Sequence, residues 1–218
     1  MLSQTEENYI KSIYHLSSGK TNSASTNALA EALNTKPASV SDMLKKLANK
    51  DLIDYEKYKG VTLTKIGLKE ALKIVRKHRL WEVFLVDKLD FSWDEVHDIA
   101  EQLEHIQSTV LTNRLDKFLG YPKSDPHGDP IPSSEGEIIS KNKSSLLELE
   151  KNTIAVVVGV KDSASSFLKY LNKIGISLGT ELTVLEQIEY DQSLEIEIEA
   201  KKQIISKEVA KNIYVSIN

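Results

Sequence analysis

The stretch TNALAEALNTKPASVSDMLKKL, residues 26–47, holds two short helical patterns separated by a polar turn. Apolar residues recur at helical spacing in each half: Leu29, Ala30 and Leu33, then Val40, Leu44 and Leu47. Pro37 fits the first position of the second helix, where its missing N–H costs no hydrogen bond. The stretch therefore predicts a helix-turn-helix, with helices over 26–33 and 37–49.

The flanking residues extend this motif on both sides. Residues 5–17 carry an apolar stripe at helical spacing, and Ser3 and Glu6 have the spacing of a capping box. After the second helix, residues 53–56 and 61–63 are typical of two short strands joined by the basic tip KYKG. This order of elements is that of a winged helix-turn-helix domain, which we place at residues 1–64.

Two longer helices and an irregular segment are predicted next. One helix spans 65–88, and the spacing of Ser92 and Glu95 indicates a capping box that opens a second helix over 93–118. Residues 120–136 hold four of the five prolines, which indicates a linker or an ordered irregular loop. These elements form a predicted helical domain over residues 65–140.

The last third of the chain is richer in β-branched residues. Strands are predicted at four places: 154–160, 181–188, 194–199 and 213–217. A helix over 163–174 separates the first two. We predict a small, barrel-like domain over residues 150–218, so that the fold class is mainly α with a small β domain.

The composition of the 218 residues is that of an ordinary globular protein. No apolar run approaches the ~18 residues of a membrane span, and no basic-then-apolar leader is present, so we expect a cytoplasmic protein without a membrane partner. The absence of cysteine excludes disulfides and thiolate ligands. Residues 1–80 carry 14 Lys and Arg against 8 Asp and Glu, whereas residues 81–218 carry 14 against 24. This asymmetry is weak evidence for a bound polyanion, because solvated surface charge also accounts for it.

The second helix of the helix-turn-helix is the expected recognition helix. Its open side and the hairpin tip present small polar and basic residues that can reach base edges and phosphates. The candidate DNA contacts are Lys36, Pro37, Ala38, Ser39, Ser41, Asp42, Lys45 and Lys46, with Lys57 and Lys59 in the wing. An ordinary helical domain with exposed lysines would show the same residues.

Imidazoles and carboxylates cluster in the predicted helical domain. Two sets share a helix face by their spacing: His78 and Glu82, and then His97, Glu101, Glu104 and His105. Such donors without thiolates suit Mn²⁺, Fe²⁺, Co²⁺ or Zn²⁺. The segment DPHGD at 125–129 offers further donors, although Asp and Pro are also ordinary loop residues.

Several motifs along the chain resemble one known family. They are EENYIK at 6–11, LAEAL at 29–33, PASVS at 37–41, RKHRLWE at 76–82, VHD at 96–98 and PHGDPIP at 126–132. Their order and spacing over nearly the whole chain resemble the metal-dependent repressors of the diphtheria toxin repressor and manganese transport regulator type. The third domain, with FLKYL at 167–171 followed by Gly179, resembles the SH3-like β-barrel of that family.

The resemblance implies two metal sites in each subunit. One would use Asn8, Glu101, Glu104 and His105, and the other His78, Glu82 and His97 with Asp125, His127 and Asp162 as further donors. How these donors divide between the sites stays open. The family often has Asp or Met at the position of Asn8, and one branch has a ligating Glu at that of Lys11. Glu101, where some iron-sensing members carry Cys, favours Mn²⁺, followed by Fe²⁺; Zn²⁺ or Co²⁺ can substitute.

The resemblance further implies a homodimeric repressor that binds a palindromic double-stranded DNA operator when metal is plentiful, and so controls metal-uptake genes. Metal would be held by residues of the DNA-binding and helical domains. It would favour the arrangement of the domains that binds DNA, because the metal binds more tightly to that arrangement. The apolar side chains of Leu103, Ile106, Val110 and Leu111 supply either the dimer interface or intrachain core.

Two alternatives stay open. One is a metal-independent winged-helix regulator whose carboxylates form salt bridges, and substitution of Glu104 and His105 would separate it from a sensor. The other is a di-metal enzyme, which is disfavoured because Gln102 stands three residues before His105 and no His-Glu-x-x-His motif is present.

Overall fold

The computed structural model describes residues 2–17, 23–56, 60–139 and 143–217. By its contacts the chain divides into two compact units. The first comprises residues 1–78, 101–113 and 132–138, and the second comprises residues 79–100, 114–131 and 139–218. The three-domain division stays a prediction. No helix among the described residues combines the length and the apolar character needed to cross a membrane.

A winged helix-turn-helix forms most of the first unit, as predicted. Its elements are α1 (Gln4–Ser17), α2 (Thr26–Ala32), α3 (Pro37–Ala48), β1 (Ile53–Glu56) and β2 (Gly60–Leu63). The strands pair antiparallel, with Ile53 opposite Leu63. The Oγ of Ser25 accepts a hydrogen bond from the Ala28 N–H and so caps α2. The fully buried core residues include Ile10, Ile13, Leu29, Val40, Leu44 and Leu47, each stabilising the fold by about 1.5–3 kcal/mol through burial.

Three helices follow, and the prediction of one helix over 93–118 is wrong. The helices are α4 (Lys65–Leu89), α5 (His97–Leu103) and α6 (Thr109–Phe118). The Glu95 carboxylate does accept from the Ser92 N–H, at 3.0 Å, but this contact closes a turn. Ser108 then starts a new helix, because its Oγ accepts from the Leu111 N–H and its carbonyl from the Thr112 N–H. As a result, Glu104 and His105 lie in a turn and not on the helix that carries His97.

The last part of the chain is a small antiparallel sheet domain. It contains β3 (Ser144–Ser145), a 3₁₀ turn (Leu146–Glu148), β4 (Ile154–Val160), α7 (Ser165–Lys173), β5 (Glu181–Gln187), β6 (Leu194–Ile198), β7 (Lys201–Ile205), α8 (Lys207–Lys211) and β8 (Ile213–Ile217). The strand order is β3-β8-β4-β5-β6-β7. Sequence patterns missed β3, β7 and α8. The alternation in β6 is confirmed, because Leu194, Ile196 and Ile198 are buried.

Residues 120–131 of the Pro-rich segment form an ordered loop that packs against this sheet within the second unit. The Val160 N–H of β4 donates to the His127 carbonyl at 2.9 Å. Gly128 has φ of +84°, and a Cβ built on it would lie 2.0 Å from the Val158 carbonyl oxygen. Trp93 joins the core of the sheet domain and donates its indole N–H to the Asn172 side chain at 2.8 Å. These contacts fix the backbone conformation of the loop where it packs against β4.

We expect Gly128→Ala to reduce the free energy of unfolding by about 2–5 kcal/mol, because it adds a clash to the cost of a left-handed backbone. Gly120→Ala is the matched control, since Gly120 has φ of +77° and open space around its Cβ position. It should cost only about 1–2 kcal/mol. Urea unfolding of both variants measures the difference, and equal losses would contradict the close approach to β4.

Glu6 ties α1 to the end of α3 in the first unit. Its buried carboxylate lies 2.6 Å from the Lys50 Nζ and 3.1 Å from the Lys46 Nζ. Burial by itself would raise the pKa of Glu6, but the hydrogen bonds from Lys50 and from the Ser3 N–H lower it from 4.5 to about 2. Folding therefore favours the ionised form of Glu6.

Glu6→Gln is expected to destabilise the chain by about 1–2 kcal/mol at pH 7, a modest loss because both lysine partners stay hydrated. A lowered pKa stabilises the fold above about pH 4.5, and the stabilisation is lost as the pH falls towards 2. The difference between variant and parent should therefore shrink over that window in denaturant unfolding. Glu31→Gln, at an exposed position of α2, is the control. A difference that persists at pH 2 would contradict an ionic tie.

Candidate metal centre and nucleic-acid interface

The second unit contains a buried cluster of side chains that could ligate a metal ion. Glu82 of α4 and Asp125 and His127 of the Pro-rich loop each place one donor atom within 4.8 Å of the others. All three side chains are buried. The His127 Nδ1 lies 3.6 Å from the Glu82 Oε1, and the His97 Nδ1 lies 3.7 Å from the same oxygen. Two carboxylates and two imidazoles therefore converge on one region.

The loop geometry fixes the two donors that it contributes. The Oδ1 of Asp125 accepts hydrogen bonds from the N–H groups of His127 and Asp129, at 2.8 and 2.9 Å. The Arg79 Nε lies 3.3 Å from the Asp125 Oδ2, and its guanidinium also donates to the Pro130 carbonyl. The His127 carbonyl is also held by β4. The two side chains are therefore already ordered, and an ion that bound them would not pay an entropic cost for ordering them.

The Nδ1 of His127 is the ring nitrogen that can coordinate an ion. Its Nε2 lies 2.8 Å from the Trp93 carbonyl oxygen, which can only accept, so Nε2 carries a proton. In the neutral imidazole the lone pair is then on Nδ1, on the side of Glu82. A carbonyl that fixes the tautomer in this way is a recurrent partner of histidine ligands in proteins.

Burial and neighbouring charges shift the pKa values of two residues in this cluster. Burial and the charges of Glu82 and Asp129 raise the pKa of Asp125 to about 7, although Arg79 and His127 act against the shift. Burial would lower the pKa of His127, but the hydrogen bond and charge of Glu82 raise it to about 9. Hard oxygen donors together with imidazole nitrogen fit a divalent transition metal.

Two other predicted ligands contact residues outside the Glu82–Asp125–His127 group. His78 is buried one turn before Glu82 on α4, and its Nδ1 lies 2.7 Å from the Glu104 Oε2. Asp162 is exposed in the turn after β4, where its Oδ1 accepts from the Ala164 N–H at 2.9 Å. The structure places Asp162 at the surface and outside the Glu82–Asp125–His127 group.

Glu101 and Glu104, two predicted ligands in the first unit, meet a lysine. The Nζ of Lys11 lies 2.8 Å from the Glu101 Oε1 and 2.8 Å from the Glu104 Oε2. Glu104 is fully buried, whereas half of the Glu101 side chain is exposed. Burial would raise the pKa of Glu104, but His78 and Lys11 lower it.

His105 contacts Glu7 rather than Glu101 or Glu104 in the described contacts. The His105 Nδ1 lies 2.6 Å from the Glu7 Oε2, and Gln107 donates to the Glu7 Oε1 at 2.6 Å. Asn8, the predicted ligand next to Glu7, is half-buried. Sequence reasoning missed Glu7, although its i, i+4 spacing to Lys11 places both on one face of α1. Arg79 and Trp93 were missed because no local pattern marks them.

The recognition helix exposes most of the predicted DNA contacts. The exposed residues are Lys36, Pro37, Ala38, Ser39, Asp42, Lys45 and Lys46. Ser41 is half-buried and donates to the Pro37 carbonyl at 3.0 Å, and Lys45 pairs with Asp42 at 3.1 Å. Lys57 and Lys59 lie outside the described residues. The open face of α3 is thus small and polar at its start and basic at its end, as a base-reading helix requires.

Three family models match the chain. "Iron dependent repressor, N-terminal DNA binding domain" covers residues 1–61, and "Iron dependent repressor, metal binding and dimerisation domain" covers residues 64–133. "FeoA domain" covers residues 144–217. These matches confirm the resemblance and the order of the winged helix-turn-helix, helical and small β segments.

Individual relatives agree with these models. An uncharacterised HTH-type transcriptional regulator of Methanocaldococcus jannaschii is 37% identical over 118 residues, 54% of this chain and 94% of that protein. The HTH-type transcriptional regulator MntR of Oceanobacillus iheyensis is 37% identical over 119 residues, 55% of this chain and 80% of that protein. A solved structure described as a manganese-dependent transcriptional repressor in complex with manganese has a TM-score of 0.87 and 35% identity, and the match covers 98% of this chain and 100% of that one. The chain belongs to the iron-dependent repressor family of metal-dependent transcriptional regulators.

Proposed function

We propose that this chain represses transcription of metal-uptake genes when Mn²⁺ is bound. The observation that carries the proposal is the buried group formed by Glu82, Asp125 and His127, in a chain that also carries a winged helix-turn-helix. Fe²⁺ is the next candidate, and Zn²⁺ or Co²⁺ can substitute. We place the protein in the cytoplasm, where its DNA partner is, and assign the metal a regulatory rather than a catalytic role.

Glu82, Asp125 and His127 are the proposed ligands of the regulatory metal, with His97 as a further donor, and His78 stays a predicted ligand. A bound ion would bring positive charge next to the buried carboxylates of Glu82 and Asp125. Carboxylate and imidazole donors without thiolate or thioether are consistent with Mn²⁺ or Fe²⁺. Asp162 and the set Asn8, Glu101, Glu104 and His105 stay predicted ligands.

Metal controls DNA binding in this proposal by shifting a conformational equilibrium. An ion that binds the DNA-competent conformation more tightly raises its population, whereas equal affinity for both conformations would change nothing. A switch from mostly inactive to mostly active requires about 10⁴-fold tighter binding to the active form. Buried ligands can supply this difference in metal affinity. In the inactive conformation a buried carboxylate would lose its contact with the metal ion, and a buried carboxylate without a cation is unfavourable.

The operator-binding form is proposed to be a two-fold dimer. Ile106, Val110 and Leu111 expose between 37% and 64% of their surface, which favours an interface over intrachain core for these three residues. A two-fold pair of recognition helices would suit a palindromic operator with half-sites one or more DNA turns apart, about 34 Å per turn.

We expect tight operator binding only with metal, measured by fluorescence anisotropy on labelled DNA from upstream of a metal-uptake gene at fixed salt. The titration is run with chelator and then with Mn²⁺, Fe²⁺ or Zn²⁺. Glu82→Gln should weaken the metal response at least about 100-fold. Even residues that only hydrogen-bond to a metal ligand lower metal affinity by about 10–100-fold when they are substituted. Asp87→Asn is the matched control, as Asp87 is exposed on the same helix.

Equal DNA binding with chelator and with metal would instead support the metal-independent regulator. A Glu82→Gln variant that keeps the full response to Mn²⁺ would place the sensing site elsewhere.

Lys45→Ala is expected to weaken binding to operator and random DNA alike, because a lysine at the end of the recognition helix is proposed to contact phosphate. The slope of log affinity against log salt should fall by about one. Lys169→Ala, at an exposed lysine of the sheet domain, is the control. An unchanged slope would remove Lys45 from the DNA contacts.

A further inference from the structure

The ammonium group of Lys11 occupies the carboxylate cluster of the first unit. Its Nζ bridges the Glu101 Oε1 and the Glu104 Oε2 at 2.8 Å each, and only a tenth of the Lys11 side chain is exposed. The His78 Nδ1 contacts the same Glu104 oxygen at 2.7 Å. A lysine therefore stands at the centre of a group of side chains that would otherwise attract a metal ion.

The surroundings of Glu104 make this cation necessary. Glu104 is fully buried, and its Oε1 has no hydrogen-bond partner within the described part of the chain. Its charge is therefore compensated at Oε2, by Lys11 and His78. A buried ionised carboxylate without such partners would be strongly unfavourable.

A metal ion and this ammonium cannot share the cluster. Bonds between transition metals and carboxylate oxygens are about 2.0–2.2 Å long, so an ion bound to both oxygens would take the space of the Lys11 Nζ. The ion would also repel the ammonium at short range. In addition, the nearby imidazole of His105 is engaged by Glu7 at 2.6 Å. The residues as arranged do not fit the first metal site that the family resemblance implies.

We infer that Lys11 is a resident cation that replaces one metal ion, and that the chain binds regulatory metal only at the Glu82–Asp125–His127 group. The second half of this inference rests on the proposed function. Lys11, with the contacts of Glu7 to His105 and Gln107, fastens α1 to residues 101–107 without metal. Glu6 on the same helix contacts Lys46 of the recognition helix and Lys50 just after that helix. The link between α1 and residues 101–107, which one of the two implied metal ions would make, is thus present without metal in this chain.

Metal stoichiometry of the full-length protein tests the inference. Chelator-treated protein is dialysed against Mn²⁺, and the number of Mn²⁺ ions per chain is measured by inductively coupled plasma mass spectrometry. We expect one Mn²⁺ per chain for the parent and two for Lys11→Met, which frees Glu101 and Glu104. Lys11→Arg keeps the charge and should bind one. Lys73→Met is the matched control, since Lys73 pairs with Glu70 at an exposed position of α4.

The Glu82→Gln background separates this inference from the proposed function. Glu82→Gln should bind no Mn²⁺, and Glu82→Gln with Lys11→Met should bind one. Mn²⁺ should raise the melting temperature of the double variant and leave that of Glu82→Gln unchanged. If the parent binds no metal but Lys11→Met binds one, the resident cation is supported and the proposed regulatory site fails.

Two outcomes overturn the inference: two Mn²⁺ bound to the parent chain, or the same count in Lys11→Met as in the parent. Should Lys11→Met fail to fold, reductive methylation of the parent gives an independent test. Lys11 should stay unmodified both with and without saturating Mn²⁺, while exposed Lys73 is modified in both. Methylation of Lys11 that rises with Mn²⁺ would show displacement by metal and would overturn the inference.

Discussion

Carboxylates buried away from water limit how the helices of this protein can pack. Among the residues that the structure describes, five carboxylates are buried: Glu6, Glu7, Glu82, Glu104 and Asp125. An ionised carboxylate in such surroundings is costly unless a cation or hydrogen-bond donors face it. Several residues meet this need in pairs: Lys46 and Lys50 at Glu6, His105 and Lys77 at Glu7, Lys11 and His78 at Glu104, and Arg79 and His127 at Asp125.

The two carboxylate clusters differ in the direction of their pKa shifts. At Glu104, Lys11 and His78 outweigh the effect of burial and lower the pKa. At Asp125, burial and the neighbouring Glu82 and Asp129 outweigh Arg79 and His127 and raise the pKa to about 7. A divalent ion held by Glu82, Asp125 and His127 would reduce the repulsion between the buried carboxylates.

The small β domain holds the Asp125–His127 loop of the Glu82–Asp125–His127 group in place. The Val160 N–H on β4 holds the His127 carbonyl, and the loop approaches β4 so closely that only glycine fits at position 128. Trp93, which is packed in the core of the sheet domain, presents the carbonyl that fixes the His127 tautomer. Side chains supported in this way would hold an ion without first being ordered, which would lower the entropic cost of binding.

Local sequence patterns predicted most elements of the fold and the types of donor. Helix α3 begins at Pro37 and strand β6 alternates because both patterns are local, and the DPHGD segment supplied Asp125 and His127 as candidate ligands. Local patterns were less reliable at chain reversals: the helix predicted over 93–118 breaks because Ser108 caps a new one. Only the tertiary structure decided which cation faces which carboxylate. Lys11 meets Glu101 and Glu104 across 90 and 93 residues of chain. No spacing rule connects them, because side chains so distant in sequence meet only through the packing of helices.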